Sequence, residues 1–98
     1  MEIRVQSVKF DADQKLLDFI EKKVSKLPRF YETITAVEVT LSLLNDHENK
    51  NVKIIARIPG GGDAVVERCA KSFETALNEC VDIIKEQLTR KKEQLQQA

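Results

Sequence analysis

The chain has no tryptophan, one tyrosine, one histidine and one methionine, and its three glycines are consecutive, Gly60 to Gly62. Each scarcity removes a class of chemistry. The single histidine, His47, sits in a polar stretch with no second histidine or cysteine beside it, so neither a metal nor an acid–base role is expected of it. The two cysteines, Cys69 and Cys80, form no C-x-x-C pair and belong to no zinc-like set. Both are expected to be reduced and buried as small hydrophobes. The glycine run is not followed by Lys and Ser/Thr and does not directly open a helix, so it is no phosphate-binding P-loop; a turn needing positive φ is its expected use. No serine stands in a Gly-x-Ser-x-Gly turn. No set of acid, base, nucleophile or metal ligands converges, so neither an enzyme, a cofactor nor a small-molecule substrate is expected.

Long apolar runs are missing too. Nothing approaches the roughly 18–20 residues that span a bilayer, so no membrane partner is expected. The opening Met1-Glu2-Ile3-Arg4-Val5-Gln6 alternates where a signal peptide would be continuously apolar, and a cytoplasmic location is expected. The five aromatics, Phe10, Phe19, Phe30, Tyr31 and Phe73, all fall outside the predicted central strands. A sheet face that stacks bases, as in RNA-recognition modules, is therefore excluded. Charge of one sign is also absent: sixteen basic and sixteen acidic residues cancel. A nucleic-acid partner would require those charges to be sorted onto different faces.

What is present is periodicity. Ninety-eight residues with 42% apolar content make one domain with a small core. Met1, Ile3 and Val5 alternate with polar residues as a half-buried strand does. Asp13 is a candidate N-cap, and Leu16, Leu17, Phe19, Ile20, Val24 and Leu27 follow on one helical stripe. Pro28 disfavours helical geometry at Leu27, so this helix is expected to end near there. Alternation resumes from Thr35 to Leu44, gives way to the polar loop 45–49, and resumes over Val52–Ile58. After Pro59-Gly60-Gly61-Gly62-Asp63, Ala64–Cys69 reads as a fourth strand. Ser72 caps a second helix of some 20 residues, with Phe73, Ala76, Leu77, Cys80, Ile84 and Leu88 as its stripe; residues 94–98 read as a frayed tail.

The order is β-α-β-β-β-α. A helix between the first two strands allows them to be parallel through a right-handed crossover, and short joins make the rest antiparallel. Each helix has one apolar stripe, so both are expected on one sheet face. Arg4, Gln6, Thr40, Ser42, Lys53 and Arg57 would then lie on the open face. The expected fold class is α+β, a two-layer sandwich over residues 1–98.

On a wheel of 100° per residue the first helix sorts its charges. Lys15, Lys22 and Lys26 share one flank, Arg29 would extend it, and Lys23 lies between that flank and the apolar stripe. Asp18 and Glu21 take the other flank. On the second helix Lys85 and Lys92 share a flank, and Arg90-Lys91-Lys92 form a cluster near the C-terminus. Glu79, Asp82, Glu86 and Glu93 point outward. Two plainer readings stand beside an RNA interface. The first helix can be a solvated face with the pairs Asp18–Lys22 and Glu21–Ser25. The basic end of the second helix suits the helix dipole.

Three segments together resemble the ribosome hibernation promoting factors, also called ribosome-associated translation inhibitors. They are the opening strand and helix Ile3–Ile20, the run Phe19-Ile20-Glu21-Lys22-Lys23-Val24-Ser25-Lys26-Leu27 with Phe30-Tyr31, and Gln87-Leu88-Thr89-Arg90-Lys91-Lys92. The resemblance covers essentially the whole chain and is to the short form, without a C-terminal dimerisation domain. It implies a β-α-β-β-β-α domain that binds the small ribosomal subunit in the channel for messenger RNA and tRNA. There it would block translation sterically, without catalysis, and store ribosomes during stress or stationary phase. It implies contacts from basic residues to ribosomal RNA phosphates: Lys23 and Lys26 in the first helix, Arg90 and Lys92 in the second. Lys22, Arg29, Lys85 and Lys91 are added as neighbours from the wheel. Glu86, Ile83 and Gln94 depart from commonly basic positions, and Ser72-Phe73-Glu74-Thr75-Ala76-Leu77-Asn78 departs from the family's Asp-x-Tyr-x-Ala-Ile-Asp, which narrows the expected second patch. An alternative is a protein-interaction module of the same fold, using the acidic outer face of the second helix.

Overall fold

The computed structural model describes residues 1–45 and 49–96. Its elements run β1 (Glu2–Ser7), α1 (Gln14–Val24), a 3-10 turn (Leu27–Arg29), β2 (Ala36–Leu43), β3 (Lys50–Arg57), β4 (Ala64–Ala70) and α2 (Phe73–Gln96). The four strands form one sheet in the order β1-β2-β3-β4. β1 and β2 pair in parallel, Ile3 opposite Val37, and the remaining pairs are antiparallel. The expected α+β sandwich is the fold observed: α2 packs on β3 and β4, and α1 packs on α2 and β1.

Strand alternation decides which side is wet. Val37, Val39 and Leu41 of β2 and Val52, Ile54 and Ala56 of β3 are buried under the helices. Ile20, Val24, Leu77, Cys80, Ile84 and Leu88 close the core from above. Fully burying a side chain of this kind stabilises the fold by about 1.5–3 kcal/mol, so this layer dominates the stability.

Capping follows the expected pattern. The Leu16 N–H donates to Asp13 Oδ1 at 2.8 Å, and the Thr75 N–H donates to Ser72 Oγ at 3.1 Å. α1 stops at Val24, three residues earlier than its apolar stripe suggests. Leu27 is fully buried all the same, because the 3-10 turn carries it inward. Pro28 sits comfortably there, in the first turn of a helix, where its missing N–H costs nothing.

α2 is longer than expected, 24 residues. Residues 94–96, expected as the start of a frayed tail, are helical; 97–98 and His47 lie outside the described residues. The glycine turn takes the conformation foreseen for it, with φ of 74° at Gly60 and 76° at Gly62.

One expectation about the core fails. Cys80 is buried, but Cys69 is exposed. In β4, Ala64 and Val66 face the helices, which turns Val65, Glu67 and Cys69 to the open face.

Candidate nucleic-acid interface

The open sheet face carries three cations, and most of their charge is answered locally. Arg4 pairs with Glu2 at 2.9 Å. Arg57 pairs with Glu38 across the strands and with Asp63 at 2.7 Å. Lys53 stands in register opposite Glu67, whose carboxylate also accepts from the Asn51 amide at 2.9 Å. These pairs show in the titration of the acids. The Arg4 guanidinium holds the Glu2 carboxyl below the usual range. Arg57, helped by the Ile58 N–H, does the same to Asp63. Exposed pairs of this kind add little stability, but they leave this face nearly neutral.

The helical side is different. Lys15 and Lys22 of α1 and Lys26 just past its end are exposed, and among the described residues no lysine forms an ion pair. The expected Asp18–Lys22 pair is not made: Asp18 accepts from the Gln14 amide at 2.8 Å instead. Ser25 does not reach Glu21 through its side chain either; its hydroxyl donates to the Lys22 carbonyl at 3.1 Å. Lys23 is half-buried, with its ammonium 5.6 Å from the centroid of the Phe19 ring. Phe19 and Lys23 are four residues apart, so helical spacing alone brings them together.

Past α1 the chain turns under α2. Arg29 is exposed on the 3-10 turn. The next residue, Phe30, presents its ring to α2, where the Lys85 ammonium stands 5.4 Å from the centroid. Attraction of this kind is worth about 0.5–1 kcal/mol at exposed sites, enough to bias where a long side chain rests. Phe19 and Phe30 were not foreseen as holders of lysines. For Lys85 no sequence signal exists, since its partner is on another element.

The run Arg90-Lys91-Lys92 does not form one patch. Consecutive helical residues diverge by about 100°, and the three side chains go three ways. Arg90 pairs with Glu86 on the outer face at 2.6 Å. Lys91 donates to the carbonyl oxygen of Gly61, in the β3–β4 turn, at 3.0 Å. Lys92 is exposed and borders a shallow cavity with Tyr31, Glu32 and Thr33. The structure therefore joins Arg29, Lys85 and Lys92 around the segment from Leu27 to Thr33, with Lys22 of α1 and Lys26 just past its end leading to it. Arg90 is set apart from that band, and Lys91 lies at its edge, lining a crevice with Tyr31. The departure at Glu86 has a direct effect, because Glu86 is the residue that occupies Arg90.

No described group of three or more His, Cys, Asp or Glu side chains is placed to hold a metal. No described helix is long and apolar enough to cross a membrane.

Comparison with known proteins gives a consistent picture. Residues 3–96 match the family described as "Sigma 54 modulation protein / S30EA ribosomal protein". The chain is 28% identical over 94 residues to a ribosome hibernation promoting factor of Azotobacter vinelandii, covering 95% of this chain and 84% of that one. It is similar to the crystal structure of the Thermus thermophilus Protein Y N-terminal domain, at a TM-score of 0.79 and 25% identity over 92% of this chain and 98% of that one. A ribosomal subunit interface protein from Coxiella burnetii shares the fold at a TM-score of 0.82 and 16% identity, over 94% of this chain and 98% of the other.

Proposed function

The chain belongs to the Sigma 54 modulation protein / S30EA ribosomal protein family, and on that premise we propose that it is a ribosome hibernation factor that binds the small subunit through its helical side. The observation that carries this reading is the sorting of charge. The cations of the open face are mostly paired, whereas Lys22, Lys26 and Arg29 are exposed without an ion-pair partner among the described residues. Free ammonium and guanidinium groups along one band fit the phosphates of a folded RNA, and the shape of that RNA selects the site. The name of the Azotobacter vinelandii relative points the same way.

The mechanism is occupancy. A rigid body of 44 × 24 × 18 Å lodged in the channel for messenger RNA and tRNA denies both ligands their path. No bond is made or broken, so inhibition reverses when the protein leaves. Each phosphate contact displaces counterions, and affinity falls with salt in proportion to their number. Lys85, steadied on Phe30, and Lys92 extend the band onto α2. Lys23, resting on Phe19, adds a cation with little freedom to lose on binding. The protein would work in the cytoplasm, where the ribosomes are.

The test is translation in a cell-free extract with the wild type and a variant carrying Lys22→Glu, Lys26→Glu and Arg29→Glu. The wild type inhibits and the variant does not. Equal inhibition by both would move the contact elsewhere, with the acidic outer face of α2 (Glu79, Asp82, Glu93) as the next surface to reverse.

A further inference from the structure

We propose that the crevice between Tyr31, the Gly60–Gly62 turn and the C-terminal part of α2 is a binding site for a single phosphate group. In the complex proposed above, that group is a backbone phosphodiester of RNA. Only this last identification rests on the ribosome reading; the site itself stands on its own geometry.

Tyr31 is 7% exposed, and its hydroxyl neither donates nor accepts a hydrogen bond among the described residues. The hydroxyl is not sealed from solvent, so its O–H is free to donate to a ligand. It lies beside a crevice of about 130 Å³ lined by Tyr31, Gly61, Lys91 and Gln94. That is well above the roughly 10–15 Å³ a single water needs. The space exists because residue 61 has no side chain. A Cβ there would stand 2.8 Å from Ile58 Cγ2 and 3.3 Å from the Tyr31 hydroxyl oxygen.

Lys91 gives the crevice its sign. Its ammonium donates to the Gly61 carbonyl oxygen and has two further N–H groups to offer. The nearest acid of the turn, Asp63, is already engaged by Arg57 at 2.7 Å and by the Ile58 N–H at 3.2 Å. On the far side of Tyr31, Glu32 sits with Lys92, so charge there is balanced and the phosphate belongs on the Lys91 side. A tyrosine hydroxyl and an ammonium group meeting in a crevice suit a tetrahedral anion, whose oxygens diverge enough to accept from both.

The test is amide NMR of the full chain at constant ionic strength, titrated with inorganic phosphate and, separately, with a six-nucleotide oligouridylate. Saturable shifts at Tyr31, Gly61 and Gly62 are expected with both. Tyr31→Phe, which keeps the ring and the fold, should weaken them about tenfold, the effect of one hydrogen bond to a charged group. Lys91→Gln should weaken them at least as much, and Lys91→Arg should restore binding. Non-saturating shifts spread over all lysines, or shifts unchanged by Tyr31→Phe and Lys91→Gln, would overturn the site. Binding of phosphate without the oligouridylate would overturn its assignment to RNA. Sedimentation with small subunits separates this inference from the ribosome reading. Wild type that sediments while its crevice ignores phosphate sinks the site alone. A crevice that binds phosphate and oligouridylate in a protein that does not sediment supports the site and sinks the ribosome reading.

Discussion

The ammonium of Lys85 stands 5.4 Å from the ring centroid of Phe30, and this contact joins α2 to the turn that follows α1. It sets one cation of the second helix beside those of the first. Phe30→Leu keeps an apolar side chain and removes the ring. The attraction is worth about 0.5–1 kcal/mol, so affinity for small subunits should fall roughly two- to fivefold. Lys85→Gln should cost less in the Phe30→Leu background than in the wild type. A double-mutant cycle on subunit binding measures the difference, and equal effects in both backgrounds would mean that the contact does not matter for docking.

Asp13 caps α1, whose first turn contains no acid. Its Oδ1 accepts the Leu16 N–H at 2.8 Å. Asp13→Ala is expected to cost about 1 kcal/mol of folding free energy, read as a shift in the urea midpoint with the slope unchanged. Asp13→Asn keeps the acceptor and should lose much less.

The open face gives the protein an acid-sensitive element. Asp63 titrates below its usual value because of Arg57 first and the Ile58 N–H second. A carboxyl whose folded value is depressed contributes stability that is present above its unfolded value and lost as pH falls through the folded one. Asp63→Asn should therefore be less stable than the wild type near neutrality. The gap should close as the pH drops through about 4 and below, where both side chains are neutral. Urea midpoints across that range test it. A gap that persists in acid would assign the effect to something other than the charge.

The two thiols should separate cleanly. Burial pushes Cys80 up to about 11, and its Sγ–H donates to the Val52 carbonyl at 3.3 Å. Cys69 is exposed on the sheet. A thiol-specific dye at neutral pH should label one cysteine per native chain quickly, and the second only in denaturant. Fast labelling of both would mean that the core under α2 opens readily.

The fold was legible because every element repeats its period cleanly. The stripe from Leu16 to Leu27, the alternation from Val37 to Leu43, and the caps at Asp13 and Ser72 each point to one arrangement. The end of α1 was harder to place. Leu27 stays buried whether its turn is α or 3-10, so the apolar pattern cannot tell the two apart. The exposure of Cys69 followed from the alternation of β4 and was masked by the general tendency of cysteine to be buried. On the helical side, the wheel placed Lys22 and Lys26 on one flank; both are exposed, although Lys26 lies just past the end of α1. Arg90 to Lys92 read as a cluster because neighbours in sequence are not neighbours on a helix. The i, i+4 spacing of Glu86 and Arg90 held the signal for one of the three directions, and the wheel reading did not use it. The other two depend on Gly61 and Tyr31, which lie thirty or more residues away in the chain.

The most direct measurement of the central claim is sedimentation of the protein with purified small subunits over a range of salt. Binding through several phosphate contacts predicts a straight line of log affinity against log salt, falling by about 0.7–0.9 per contact. The combined Lys22→Glu, Lys26→Glu and Arg29→Glu variant should lie far below the wild type at low salt and show a shallower slope. Absence of co-sedimentation at low salt, or binding that is indifferent to salt and to these three substitutions, would contradict the account.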